Sequence, residues 1–142
     1  MKIAVLGAGN GGQTMAAYLA LKGSEVNLYN RTPLRIEAVK ETGGIYLSGI
    51  FESFGKLNRV TTDLEKAVKD TEFIMIITPA LAHRSLAREL AWCLKDGQKI
   101  ILHPGRTCGA LEFYNTLKKH HCKADVQILE TQTFVFASRV IG

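Results

Sequence analysis

The sequence is poor in cysteine, proline and tryptophan, with three, three and one among 142 residues. Cys93, Cys108 and Cys122 are odd in number and widely separated. That excludes a disulfide framework and the close cysteine pairs of a zinc site, so reduced thiols are expected. Long hydrophobic runs are missing too. The extended uncharged stretch, residues 3–21, is interrupted by Gly7, Gly9, Asn10, Gly11, Gly12, Gln13 and Thr14. It serves neither as a signal peptide nor as the ~20-residue apolar span that a bilayer requires. The expectation is a cytoplasmic protein with no membrane partner. Internal repeats, low-complexity tracts and blocks of like charge are absent as well. The net charge of +5 arises from 18 basic and 13 acidic residues mixed along the chain. Without a basic stripe there is no case for nucleic acid, and attraction of a small anionic ligand accounts for the excess equally well.

What is present is an ordinary globular composition, 46% hydrophobic and 22% charged, at a length that fits one domain over residues 1–142. Periodicity alternates between strand and helix. Residues 2–6 are a short apolar run, glycines follow, and 14–22 carry Ala, Leu and Met at helical spacing before Gly23. Residues 25–29 supply a second strand, and Thr32-Pro33 caps a helix running to about Glu41. Residues 43–57, around Ser48-Gly49, read as an inserted β-hairpin. A strand near Val60 and a short helix capped by Thr62-Asp63 come next, then a continuously apolar strand at 73–77. Thr78-Pro79 opens a helix to Leu94, residues 99–102 form another buried strand, 110–121 a helix and 126–129 a further strand. Residues 134–142 read as the start of one more strand. Such alternation predicts an α/β fold of Rossmann type, a doubly wound parallel sheet with a small inserted hairpin.

Gly7-Ala8-Gly9-Asn10-Gly11-Gly12 has G-x-G-x-x-G spacing and lies between the first strand and the first helix. In that setting each glycine has a task. Gly7 permits the tight turn, Gly9 lets backbone approach a pyrophosphate, and Gly12 allows close packing of helix on strand. Helix N-terminal amides would then hold the phosphates. About twenty residues beyond such a loop, an acidic side chain binds the ribose 2′-hydroxyl of NAD. Here the residues are Asn30-Arg31-Thr32. With no carboxylate to repel a 2′-phosphate and a guanidinium to bind it, the local chemistry favours NADP, with NAD left open. Arg31 otherwise lies along the surface and stacks on adenine in either cofactor.

With these motifs, and with His103-Pro104-Gly105-Arg106-Thr107 and Glu130-Thr131-Gln132-Thr133, the chain resembles the octopine/nopaline (opine) dehydrogenases. It is also similar to the wider group containing glycerol-3-phosphate dehydrogenase and ketopantoate reductase. The opine resemblance implies reductive condensation of an amino acid with a 2-oxo acid, in which nicotinamide hydride reduces an imine. It further implies catalytic His and Asp residues in a helical carboxy-terminal domain. That domain is missing here, so no catalytic residue is assigned, and the chain is expected to be inactive alone as the amino-terminal part of a longer enzyme. The runners-up are a glycerol-3-phosphate or ketopantoate type reductase and a non-catalytic dinucleotide sensor.

Other residues fall at the carboxyl edge of the sheet, where open α/β folds bind ligands. Thr78, Pro79 and Ala80 are expected to meet the cofactor ribose, and His103, Pro104 and Gly105 its nicotinamide end. His83 is expected to be an exposed helix residue, and Cys108 a small buried thiol. His120, His121 and Cys122 are adjacent on a helix and point apart, so no metal is expected. Ser138-Arg139 faces an interdomain cleft or is simply an exposed pair.

Overall fold

The computed structural model describes residues 1–141. The chain runs β1 Lys2–Leu6, α1 Asn10–Leu21, β2 Glu25–Tyr29, α2 Glu37–Thr42, β3 Gly44–Leu47, β4 Ser53–Lys56, β5 Arg59–Thr61 and α3 Leu64–Val68. It continues through β6 Phe73–Ile76, α4 His83–Leu90, β7 Lys99–Leu102, α5 Gly109–Lys119 and β8 Gln127–Glu130. Six strands form one sheet in the order β5-β2-β1-β6-β7-β8. All its pairings are parallel, with Ile3 beside Val26 on one side and beside Phe73 on the other. The chain reverses its direction of travel across the sheet between β1 and β6, which places the ligand-binding crevice at that point.

Alternation within the strands builds the core on both faces. In β1, Ala4 and Leu6 join one cluster and Ile3 and Val5 the other. Period-two side chains with both faces apolar are what a helix-covered parallel sheet requires. One face is closed by Ala67, Leu86, Leu90, Phe113 and Leu117 of α3, α4 and α5. The other is closed by Ala16 and Val39 of α1 and α2. Strands β3 and β4 form the expected hairpin, an antiparallel pair separate from the main sheet. It seats on α1 because Gly55 is bare: a Cβ there would meet the Ala17 backbone at 2.6 Å.

Three expectations about elements are corrected. The helix expected from Thr32 to Glu41 is broken into a 3₁₀ turn at Pro33–Arg35 and the short α2. Ile36 leaves helical geometry at φ −121° and is buried between the two pieces. The helix expected to reach Leu94 is likewise a 3₁₀ turn at Ala80–Ala82 followed by α4, which ends at Leu90. Finally, residues 134–141 form no strand. They cross the start of α1, where Ser138 Oγ donates to the Asn10 carbonyl at 3.2 Å and Val140 N to Asn10 Oδ1 at 2.9 Å. The alternate apolar residues that looked like a strand bury aromatic rings instead: Phe136 packs on Tyr18 at 5.2 Å and Tyr18 on Phe51 at 5.3 Å. Gly142, the last residue of that expected strand, lies outside the described residues.

Candidate functional site

β1 delivers the chain to the glycine loop at the crevice. Gly7 takes φ +111°, and a Cβ on it would strike the Ile77 carbonyl. Gly12 faces the Gly7 carbonyl just as closely. Gly9 has nothing within 4 Å of where a Cβ would stand. Two of the three glycines are therefore required by packing, while the third keeps ground clear in front of the helix. Gly9 is also the N-cap of α1, with no side-chain cap and no acidic residue in the first turn. The first amides of α1 are thus left for an anion, aided by the helix dipole.

Asn30, at the end of β2, braces this loop. Its Oδ1 accepts from Ala8 N at 3.0 Å, and its Nδ2 donates to the Thr32 carbonyl at 3.0 Å. Sequence reasoning treated Asn30 only as an absent acid, and nothing local announced the brace. A crevice of about 350 Å³ opens beside it, lined by Gly7, Ala8, Gly9, Asn30, Arg31, Thr32, Thr78 and Pro79. Eight of the expected residues are thereby brought together. Arg35, Ser85 and Glu89 line it too and were missed. Arg35 places a second guanidinium beside Arg31, while Glu89 adds one carboxylate. Asn10 belongs to an adjoining hollow with Ala8, Gly9 and Arg35. Gly11 does not line the crevice; its place for a Cβ is taken by the Phe134 ring at 2.6 Å.

Ala80 and Gly105 fall in a different place, a furrow of about 820 Å³ between α4 and α5. His83 lines that furrow but is only 3% exposed, which corrects the expectation of an exposed residue. The first turn of α4 turns the ring inward, while neighbouring Arg84 faces out to Glu112 at 3.8 Å. Burial lowers the His83 pKa, opposed by the Glu112 carboxylate and a hydrogen bond with the Thr78 backbone. Cys108 also departs from expectation, being exposed. It adopts φ +62° at the N-cap of α5 and so turns away from the core.

His103, at the end of β7, is 5% exposed. Its Nδ1 lies 2.9 Å from Thr131 Oγ1, and Phe134 packs on the ring with centroids 4.8 Å apart. Burial lowers its pKa and so favours the neutral imidazole. The loop that follows is held by Thr131, whose carbonyl accepts from both Gly105 N and Arg106 N. Glu130 Oε2 accepts from Ala110 N at 2.6 Å and caps α5. Among the described residues no three His, Cys, Asp or Glu side chains gather as metal ligands, and no helix is long and apolar enough to cross a membrane.

Residues 2–129 match the family described as NAD-dependent glycerol-3-phosphate dehydrogenase N-terminus. The chain belongs to this family. It is 41% identical over 137 residues to opine dehydrogenase of Arthrobacter sp. (strain 1C), covering 96% of this chain and 38% of that protein. It is also 41% identical over 101 residues to glycerol-3-phosphate dehydrogenase [NAD(P)+] of Moorella thermoacetica, covering 70% of this chain and 30% of that one. The fold superposes on octopine dehydrogenase solved with NADH and agmatine at a TM-score of 0.81, with 20% identity, over 99% of this chain and 37% of the other. The chain therefore spans less than two fifths of the length of these relatives. Within the family it is an NAD-binding domain of Rossmann type, and the residues present suit such a ligand: an uncapped helix, a clear approach at Gly9 and a crevice bearing two guanidinium groups.

Proposed function

We propose that residues 1–142 form a domain that binds NADP in preference to NAD, within a longer dehydrogenase that reduces an imine formed from an amino acid and a 2-oxo acid. The observation that carries the binding is the contrast among the glycines of the loop, where Gly7, Gly11 and Gly12 are each closely approached and Gly9 faces open ground. The amides at the start of α1 receive the pyrophosphate there. Asn30 holds the loop by its Ala8 bond, and Arg31 with Arg35 draws a 2′-phosphate, partly offset by Glu89. Thr78 and Pro79 border the ribose and His103 and Pro104 the nicotinamide end, while Ala80 and Gly105 line the neighbouring furrow between α4 and α5. Bound nicotinamide supplies the hydride. The residues of this chain orient it, and catalytic groups come from outside the chain, which leaves this domain inactive alone.

The imine chemistry rests on the likeness to the Arthrobacter opine dehydrogenase. Assaying the longer protein with pyruvate and amino acids, against dihydroxyacetone phosphate and ketopantoate, tests it; turnover confined to either of the last two would displace the opine reading. Cofactor choice is tested by calorimetry. Arg31→Ala should weaken NADPH by about ten- to a hundredfold, as expected for loss of a charge-assisted contact of roughly 1.5–3 kcal/mol. NADH should change far less, and the difference should shrink as salt rises. Equal losses for both cofactors would mean that Arg31 stacks on adenine and does not read phosphate.

A further inference from the structure

The imidazole of His103 has one nitrogen engaged and one idle. Nδ1 lies 2.9 Å from Thr131 Oγ1, and that hydroxyl donates to the Thr133 carbonyl at 3.2 Å. A hydroxyl has one proton, so once it is given to a carbonyl the oxygen can only accept from the ring. Of the two tautomers, the one with hydrogen on Nδ1 lets both contacts form, the ring donating to Oγ1 and the hydroxyl to the Thr133 carbonyl, and it leaves Nε2 a bare lone pair. Nε2 is buried and has no partner. Buried acceptors are nearly always satisfied, and an orphan in an otherwise bonded loop asks for a missing donor.

The surroundings narrow what that donor is. The Phe134 ring lies on the imidazole and also fills the space over Gly11, so it spans from the glycine loop to the end of β7. A dinucleotide anchored at α1 and crossing the switch point extends over the same ground. Phosphate and carboxylate offer only acceptors to a bare lone pair. A neutral N–H on a flat, largely apolar ring meets both the lone pair and the aromatic wall.

We propose that His103 Nε2 accepts a hydrogen bond from the carboxamide N–H of the nicotinamide, and that Thr131 is the positioning residue that fixes the tautomer required. Phe134 packs on the imidazole and Nε2 is buried, so such a bond requires the neighbouring side chains to give way to the ligand. The inference deepens the dinucleotide reading above and rests on it. Burial keeps the imidazole neutral, which preserves the acceptor at neutral pH.

The test measures dissociation constants for three ligands: NADH, its 3-acetylpyridine counterpart, in which a methyl ketone replaces the amide and removes the N–H, and ADP-ribose, which lacks the ring. His103→Leu should weaken NADH about tenfold, leaving ADP-ribose unchanged and the acetylpyridine dinucleotide within about twofold. Thr131→Val should show the same selectivity at roughly threefold, since the favoured tautomer is no longer held. His103→Gln, whose Oε1 can accept, should recover part of the loss. These variants also cover the case in which His103→Leu does not fold. Losses of similar size for ADP-ribose or for the acetylpyridine dinucleotide would overturn the proposal, as would unchanged NADH affinity in His103→Leu. Failure of the unmutated protein to bind ADP-ribose would instead overturn the dinucleotide reading itself.

Discussion

The loop after β1 and the loop after β7 reach the same edge of one sheet, yet different kinds of atoms close them. Around β1 the glycine turn is closed by approaches that a side chain would block, Gly12 against the Gly7 carbonyl and Gly7 against the Ile77 carbonyl, with Asn30 bracing it from β2. Around β7 the closing groups come from far along the chain: Thr131 reaches His103 across 28 residues, and Glu130 reaches Ala110 across 20. The first loop depends chiefly on the absence of side chains at its glycines and the second on the presence of specific ones. A fingerprint written in glycines is therefore visible in a single line of sequence, whereas a hydrogen-bonded loop of the second kind is not.

Substitution at the glycines should separate packing from binding, and the largest effect belongs to packing. Gly12→Ala puts a methyl group into the Gly7 carbonyl, with backbone on both sides and no flexible side chain to yield. The expected cost is about 3 kcal/mol or more, a fall in Tm of roughly 10 °C for a domain of this size. A melting curve within two or three degrees of the unmutated protein would contradict it. Gly9→Val should do the reverse. Open ground around that position leaves stability nearly unchanged, while the side chain takes the path of the pyrophosphate. Affinity for NADPH should fall tenfold or more, and an unchanged dissociation constant would show that the turn is structural only.

The second loop has a matching experiment. Glu130 Oε2 caps α5 through Ala110 N at 2.6 Å, and a side-chain cap of this kind is worth about 1 kcal/mol. Glu130→Ala should thus lower Tm by a few degrees, well short of Gly12→Ala. If the two losses were equal, the contrast between a turn built on steric exclusion and one built on bonds would collapse.

These differences explain what sequence reading could and could not reach. The strands were legible because β1, β6 and β7 carry apolar residues in continuous runs, as a sheet buried on both faces demands. The hairpin and its position were legible from turn residues. The inward turn of His83 was not, because it depends on α5 lying alongside. Nor was the Asn30 brace on Ala8, a contact across 22 residues that an aspartate-or-not criterion overlooks. Residues 134–141 misled for a related reason. Alternating apolar residues report that every second side chain is buried, and the burial came from Tyr18 and Phe51, not from a neighbouring strand.

The smallest effect expected is on the pH dependence of stability, and it separates His83 of α4 from His103 of the second loop. Burial lowers the pKa of both His83 and His103 below the ordinary value of 6.5. Between that value and the lowered native ones, the unfolded chain binds more protons than the folded one, so stability rises with pH across the window. Acidification through pH 6.5 should therefore lower Tm, and above it these two groups should contribute no slope. For His83 the Glu112 carboxylate and the Thr78 backbone oppose the shift, whereas for His103 desolvation acts alone. Glu112→Gln should accordingly widen the acid-sensitive window by letting the His83 pKa fall further. Thermal melts at steps from pH 7.5 to 5, for the unmutated protein, Glu112→Gln and His83→Gln, check this. A steeper loss in Glu112→Gln and a shallower one in His83→Gln are expected. Identical slopes in all three would mean that His83 takes no part in acid destabilisation and that its burial is relieved before it titrates.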